Sequence, residues 1–330
     1  MVEKADGTLR HEEMDQKLPK TISLTVVFFL LLYLLVDGWT GIAQSNEAPV
    51  IQHKDPDKAI IFSSLFPGGG HFYLGDYKTG SFYLLTELGL FLAGNQMKDK
   101  LERTELNIFH LHALKLHELN IFTAYRQARL RIDNFGYRNP IDDTPVSKLA
   151  LAPFKWENIK DPYVYGFFLA GVVLNAIEAS LNKERRSFQD VDQVQIMGEK
   201  YERDPGFAAY ETFWIPISLN AAVSEECLYR GVIQSQLEEA MGKRQGLILA
   251  SLLFGLGHVS EPTEAKSWVY GIIGSLSGFY LGKLYQDTSY SLEKPIAAHF
   301  WFNVAAGVTL FLLDPANNPL GLKVTFRFDL

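Results

Sequence analysis

Val223-Ser-Glu-Glu-Cys-Leu-Tyr-Arg-Gly-Val-Ile-Gln234 sets two adjacent carboxylates and an arginine in an otherwise apolar, helix-like segment. The residues before it, Phe213-Trp-Ile-Pro-Ile-Ser-Leu-Asn-Ala-Ala-Val223, carry no charge. A charge at the centre of a membrane helix costs roughly 2.5–3.5 kcal/mol on insertion scales, so such groups persist only where they face protein, water or one another. On a helix Glu226 and Arg230 are four residues apart and share a face, so they can pair. Glu225 points about 100° away around the axis. It has no partner within the motif.

Two further polar clusters follow inside apolar stretches. They are Phe254-Gly-Leu-Gly-His258 and His299-Phe-Trp-Phe-Asn303. His299 and Asn303 are one helical turn apart and project side by side. A glutamate with histidines can hold a hydrolytic water, with or without zinc. A neutral imidazole or an amide can also donate hydrogen bonds to a developing oxyanion. Taken singly, each group has a structural reading. Glu226 with Arg230 makes an ion pair that fixes a helix, His258 is a satisfied core histidine, and His299 with Asn303 bonds neighbouring helices together. Taken together, the three clusters occur in order within consecutive apolar stretches, and intramembrane ionisable groups mark function by default. A joint site follows.

The rest of the 330-residue chain frames that site. Its mean hydropathy is close to zero, an average over apolar stretches that alternate with strongly charged ones. The formal net charge of −7 gives no basic footprint, so nucleic acid is not an expected partner. Cys227 has no second cysteine to pair with inside the chain. The apolar run 21–36 follows Lys17 and Lys20 and precedes Gly41-Ile-Ala43, so residues 1–43 read as a cleavable signal sequence or a first transmembrane helix. Pro67-Gly-Gly-Gly70 breaks an apolar run into a half-helix, a tight turn and a span. The string Pro-Gly-Gly-Gly-His-Phe-Tyr-Leu-Gly-Asp-Tyr-Lys-Thr-Gly resembles a short motif of several small bacterial membrane-protein families, which implies a membrane hairpin. Met97 to Ile132 has the apolar spacing of a long amphipathic helix, with His110, His112 and His117 on a solvated face. Arg126, Arg129, Arg131 and Arg138 at its end place this region on the cytoplasmic side. Tyr163 to Ala179 is a clear span, and the interleaved charges of 180–206 read as a solvated connection. Trp268 to Tyr285 carries Gly271, Gly274, Gly278 and Gly282 at intervals that let helices approach closely. Pro295 to Leu313 is the last span, and the polar tail 314–330 belongs on the surface. The expected fold class is all-α, a polytopic membrane helical bundle of about six to eight spans or half-spans. Its expected units are 1–43, a hairpin with a basic amphipathic helix over 44–160, and a catalytic core over 161–330.

Glu-Glu-x-x-x-Arg, Phe-x-x-x-His and His-x-x-x-Asn, in this order, resemble the CPBP family of intramembrane proteases. That family includes CAAX prenyl proteases and bacteriocin-processing or self-immunity (Abi-like) proteins. The resemblance covers roughly 205–313, and the connection from Tyr280 to His299 also fits it. It implies an intramembrane metalloprotease-like endopeptidase in which Glu225 activates the attacking water. His258 would help hold that water or a metal, and His299 and Asn303 would complete the metal site or stabilise the oxyanion. Glu226 and Arg230 would fix the helix and tune the site, and Phe254 would pack beneath His258. The implied cofactor is Zn2+ on His258 and His299, with metal-independent chemistry as the alternative. The implied partners are membrane lipids and a peptide or protein substrate, and the implied place is the bacterial inner (cell) membrane. The bacterial style of the chain points away from a prenylated substrate. Two other readings compete. A non-catalytic scaffold or self-immunity relative would keep the cluster for helix packing, against which the intact motif triplet counts. A transporter would line its pathway with these charges, against which the lack of paired broken helices in two halves counts.

Overall fold

This chain buries several charged side chains and exposes many large apolar ones. The computed structural model describes residues 54–97, 103–196 and 198–327, so the expected signal or first helix over 1–43 lies outside the described residues. Arg129, Arg230, Glu226 and Glu238 are all buried, whereas Leu85, Leu88, Phe91, Leu252, Leu256, Ile272 and Leu276 are exposed. Against water the second set would be hidden. Against lipid, apolar side chains outside and paired charges inside are the cheap arrangement.

Helix α1 (Pro56–Leu65) starts on Asp55, whose side chain accepts from the Asp57 amide, with proline at the first helical position. Gly68 turns the chain at a φ of 77°. A Cβ there would lie 2.1 Å from the carbonyl oxygen of Gly80, so only glycine fits. Helices α2 (Gly69–Tyr73) and α3 (Tyr77–Met97) follow. This is the half-helix, turn and longer helix that the Pro-Gly-Gly-Gly break predicts. His71 is buried in the turn, bonded through Nδ1 to Gln127 at 3.1 Å and through Nε2 to Thr123 at 3.0 Å.

Both of those partners sit on α4 (Arg103–Arg131), the long helix read as amphipathic. It is helical as expected, but its polar face is not solvated. Leu116, Leu119, Phe122 and Tyr125 pack into the main core with Tyr83, Val223, Cys227 and Phe300. His112 is buried, with the Asn220 amide 2.6 Å from its Nδ1. His117 meets an acidic partner on α3, Glu87, at 3.0 Å. The sequence reading gave these histidines to water. The helix instead turns polar groups toward other helices, because in a membrane-type interior polar side chains seek protein partners.

Short helices α5 (Val146–Leu151) and α6 (Trp156–Ile159) lead to α7 (Pro162–Leu181). After the first strands come α8 (Arg203–Leu228), a π-helical turn over Tyr229–Gln234, α9 (Ser235–Met241), α10 (Lys243–Leu256), α11 (Ala265–Asp287) and α12 (Glu293–Leu313). By length and composition α7 and α12 are apolar enough to cross a membrane, and among the described residues they are two such helices. The expected six to eight spans or half-spans therefore go beyond what these residues supply. Helix α10, for example, has 14 residues, short of the ~20 a span needs. Helices α7 and α12 touch closely, since a Cβ on Gly171 would come within 2.9 Å of the Phe302 carbonyl oxygen.

A small antiparallel sheet accompanies the helices, with strands β1 (Val191–Ile196), β2 (Glu199–Glu202) and β3 (Lys323–Phe326) in the order β2-β1-β3. Val194 pairs with Tyr201 on one side and Val324 on the other. This corrects the reading of 180–206 as a solvated connection and of the tail as merely superficial. Val191, Val194 and Ile196 are buried with Tyr210, Phe213 and Phe311, and Leu320 and Leu322 join them. The fold remains mostly helical, and the sheet ties the start of α8 to the end of α12.

Candidate active site

Helix α8 carries Glu225 and Glu226 in its last turn and then widens into the π-helical turn. A widened turn of this kind is uncommon and often marks a functional site. Gly231 lies within it, where an added Cβ would sit 2.5 Å from the Phe122 ring, so the missing side chain admits α4 against this turn. Glu226 is fully buried, and its Oε2 lies 2.9 Å from Arg230 Nε. The pairing predicted from their spacing is present. Arg230 also donates from Nη2 to the Gly278 carbonyl at 3.3 Å, and its guanidinium lies 4.5 Å from the centre of the Phe254 ring.

The second cluster is placed by helix packing. The glycines of α11 bring it against α10, as their spacing predicts. A Cβ on Gly255 would lie 2.0 Å from Ser275 Oγ and 2.3 Å from the Gly271 carbonyl oxygen. His258 follows α10 in a tight turn, its amide donating to the Gly255 carbonyl at 2.9 Å. Its Nδ1 lies 2.8 Å from the Phe254 carbonyl oxygen. A carbonyl only accepts, so Nδ1 carries the proton and Nε2 presents a lone pair. Phe254 is buried and packs on His258 at 4.7 Å between ring centres, as expected. The same ring lies 6.0 Å from His299, so it neighbours both imidazoles.

The third cluster lies on α12. His299 Nδ1 is 2.7 Å from Glu226 Oε1, and Nε2 is 3.9 Å from Glu225 Oε2. The carboxylate of Glu226 thus fixes the ring so that Nε2 faces Glu225. Asn303 follows one turn later, half-buried, and its carbonyl accepts from the Trp214 indole at 2.9 Å. The fold therefore gathers Glu225, Glu226, Arg230, Phe254, His258 and His299 around one point, with Asn303 on the same helix as His299.

Two further residues belong to this cluster and were missed in the sequence. Lys115 Nζ on α4 lies 2.9 Å from Glu225 Oε1 and 2.7 Å from Glu118 Oε1. Both side chains are about nine-tenths buried. Their i,i+3 spacing was visible, but a charged pair on an amphipathic helix reads as solvated until the packing is known. Among the described residues Glu225 Oε2 has no hydrogen-bond partner. Glu226 Oε2 likewise lacks one but lies against Arg230, whereas Glu225 Oε2 faces the His299 imidazole.

Zinc needs three protein ligands and an open position for catalysis. Both histidines hold Nδ1 on an oxygen acceptor, the usual outer support of a metal-bound imidazole. Among the described residues, however, no three His, Cys, Asp or Glu side chains stand in a metal-binding arrangement. A lysine ammonium already occupies one oxygen of Glu225. The donor set does not fit zinc, and no step below passes through it.

No curated protein and no solved structure matches this chain. A family model does, the one described as Type II CAAX prenyl endopeptidase Rce1-like, over residues 208–305. Those limits enclose all three motifs, from the second turn of α8 to the middle of α12. Over residues 208–305 the chain is thus similar to the Rce1-like type II CAAX prenyl endopeptidases, a membrane-embedded protease family.

Proposed function

We propose that this protein is an intramembrane endopeptidase that hydrolyses a peptide bond near the membrane face, with Glu225 activating the attacking water. The observation that carries the reading is the unpartnered Glu225 Oε2, held 3.9 Å from His299 Nε2. That separation is too long for a direct hydrogen bond, and a water between the two groups would bond to both. Glu225 Oε2 takes a proton from the water. The imidazole Nε2 of His299 accepts its second hydrogen and aims the oxygen, and His258 lines the same site. The oxygen adds to the scissile carbonyl carbon, and the amide of Asn303 donates to the oxyanion that forms. The carbon–nitrogen bond then breaks, and the proton held by Glu225 passes to the leaving amine. Glu226 and Arg230 do not touch the substrate. They fix His299 and the turn that follows Glu225.

The partners in this reading are lipids and a membrane-inserted peptide or protein, and the place is a cell membrane, with the chain crossing it several times. The test is cleavage by purified protein in proteoliposomes, comparing wild type with Glu225→Gln. Two substrates serve, a peptide ending in a prenylated cysteine and an unmodified transmembrane peptide. Loss of a general base costs about 10²–10⁴-fold in rate. Equal cleavage by the two proteins would remove Glu225 from the mechanism. Retained activity in EDTA is expected, and its loss would restore a metal to the two imidazoles.

A further inference from the structure

We infer that Lys115 is a positioning residue for Glu225, anchored in turn by Glu118, so that the general base is completed by a helix outside the segment 208–305. The inference rests on the hydrolytic reading above. Lys115 reaches Glu225 from α4, a separate helix packed against α8. Its ammonium spans two carboxylates, Glu225 Oε1 at 2.9 Å and Glu118 Oε1 at 2.7 Å. A lysine on a flexible stem holds a fixed point only if something fixes the ammonium, and Glu118 does so from the next turn of the same helix.

The consequence for Glu225 is geometric. A carboxylate buried without a partner can rotate about its last bond and present either oxygen. Here Oε1 is occupied by the ammonium, so Oε2 is the one presented to His299. Lys115 also supplies one of the two positive charges that offset the carboxylates of this cluster. Glu118, Glu225 and Glu226 are three carboxylates within one buried cluster, and Lys115 and Arg230 are the cations that contact them. Without Lys115, Glu118 and Glu225 would be like charges on facing helices, each lacking its cation. Glu225 would then turn away, and the water would lose its acceptor.

A structural ion pair and a positioning pair give different kinetics. Lys115→Met should lower kcat by about a hundredfold, the scale on which misplacing a reacting group by ~1 Å acts, with KM changed less than threefold. Lys115→Arg keeps a cation within reach of both carboxylates and should return kcat to within tenfold of wild type. The double variant Lys115→Met with Glu118→Gln removes one carboxylate along with the ammonium, so the net charge of the cluster is that of wild type. It should still show the kcat loss, because Glu225 has lost its anchor. Wild-type kcat in the double variant would overturn the inference, since Lys115 would then only neutralise Glu118. Failure of Lys115→Arg to restore kcat would also overturn it. Glu225→Gln, measured alongside, separates the two levels. If it cleaves as well as wild type, the hydrolytic reading fails. If it is inactive while Lys115→Met has unchanged kcat, only the role of Lys115 fails.

Discussion

Replacing Arg230 with methionine should destabilise the protein by about 3–5 kcal/mol, the cost of stranding one member of a buried ion pair. The side chain is almost fully buried and faces a carboxylate that is entirely so. Three contacts go with the guanidinium. They are the 2.9 Å approach to Glu226, the 3.3 Å hydrogen bond to the Gly278 carbonyl and the 4.5 Å contact with the Phe254 ring. The ring contact contributes about 0.5–2 kcal/mol, so most of the loss must come from the carboxylate left without its cation. Methionine fills much of the volume, which keeps the cavity term small. Adding Glu226→Gln should recover most of the loss. The amide oxygen still accepts from His299 Nδ1, and no net charge remains to be stranded. The coupling between the two sites should therefore be on the order of 2–3 kcal/mol in a double-mutant cycle. Denaturant unfolding in detergent micelles, followed by intrinsic tryptophan fluorescence, measures all four proteins. A cost below about 1 kcal/mol for Arg230→Met alone is what an exposed pair gives, and would mean that this interior is wet.

Other perturbations probe the packing that sets the site. Gly255→Ala should cost about 1–3 kcal/mol and lower activity, because its Cβ would meet Ser275 Oγ at 2.0 Å and push α10, with His258, away from α11. Gly166→Ala on α7 is the control. Nothing lies within 4 Å of its Cβ, so unfolding should show it neutral or stabilised by about 0.5–1 kcal/mol. Phe254→Ala should cost about 3–5 kcal/mol and reduce cleavage, since one ring packs against both imidazoles and supports Arg230. A smaller loss with unchanged kcat would show that the imidazoles are held by their Nδ1 bonds alone.

The site was legible in the sequence to the extent that its residues lie in one local pattern each. Glu226 and Arg230 share a face at four residues, and they pair. The glycines of α11 recur at helical spacing, and they meet α10. What joins the patterns was not legible. Nothing local says that Glu226 reaches His299 across two helices, or that Lys115 reaches Glu225 from a helix 110 positions earlier in the chain. The histidines of α4 were misread for a physical reason. An amphipathic pattern shows which residues share a face, and the surrounding solvent decides which face is outward. The sheet escaped because its strands are short and charged. In Val191-Asp-Gln-Val-Gln-Ile196 the buried positions are the first, fourth and sixth, which breaks the alternation that marks a strand.

The pairing of β1 with β3 has a consequence for how the protein is made. One strand precedes α8 and the other follows α12, so the three motif-bearing regions lie between two strands that meet. During synthesis β1 emerges more than a hundred residues before its partner. Until β3 leaves the ribosome, the hydrophobic side chains of Val191 and Val194 lack their final cover, and α12 lacks its tether to the start of α8. The order of translation thus delays the strand pairing that ties the two ends of this region together until β3 has been made.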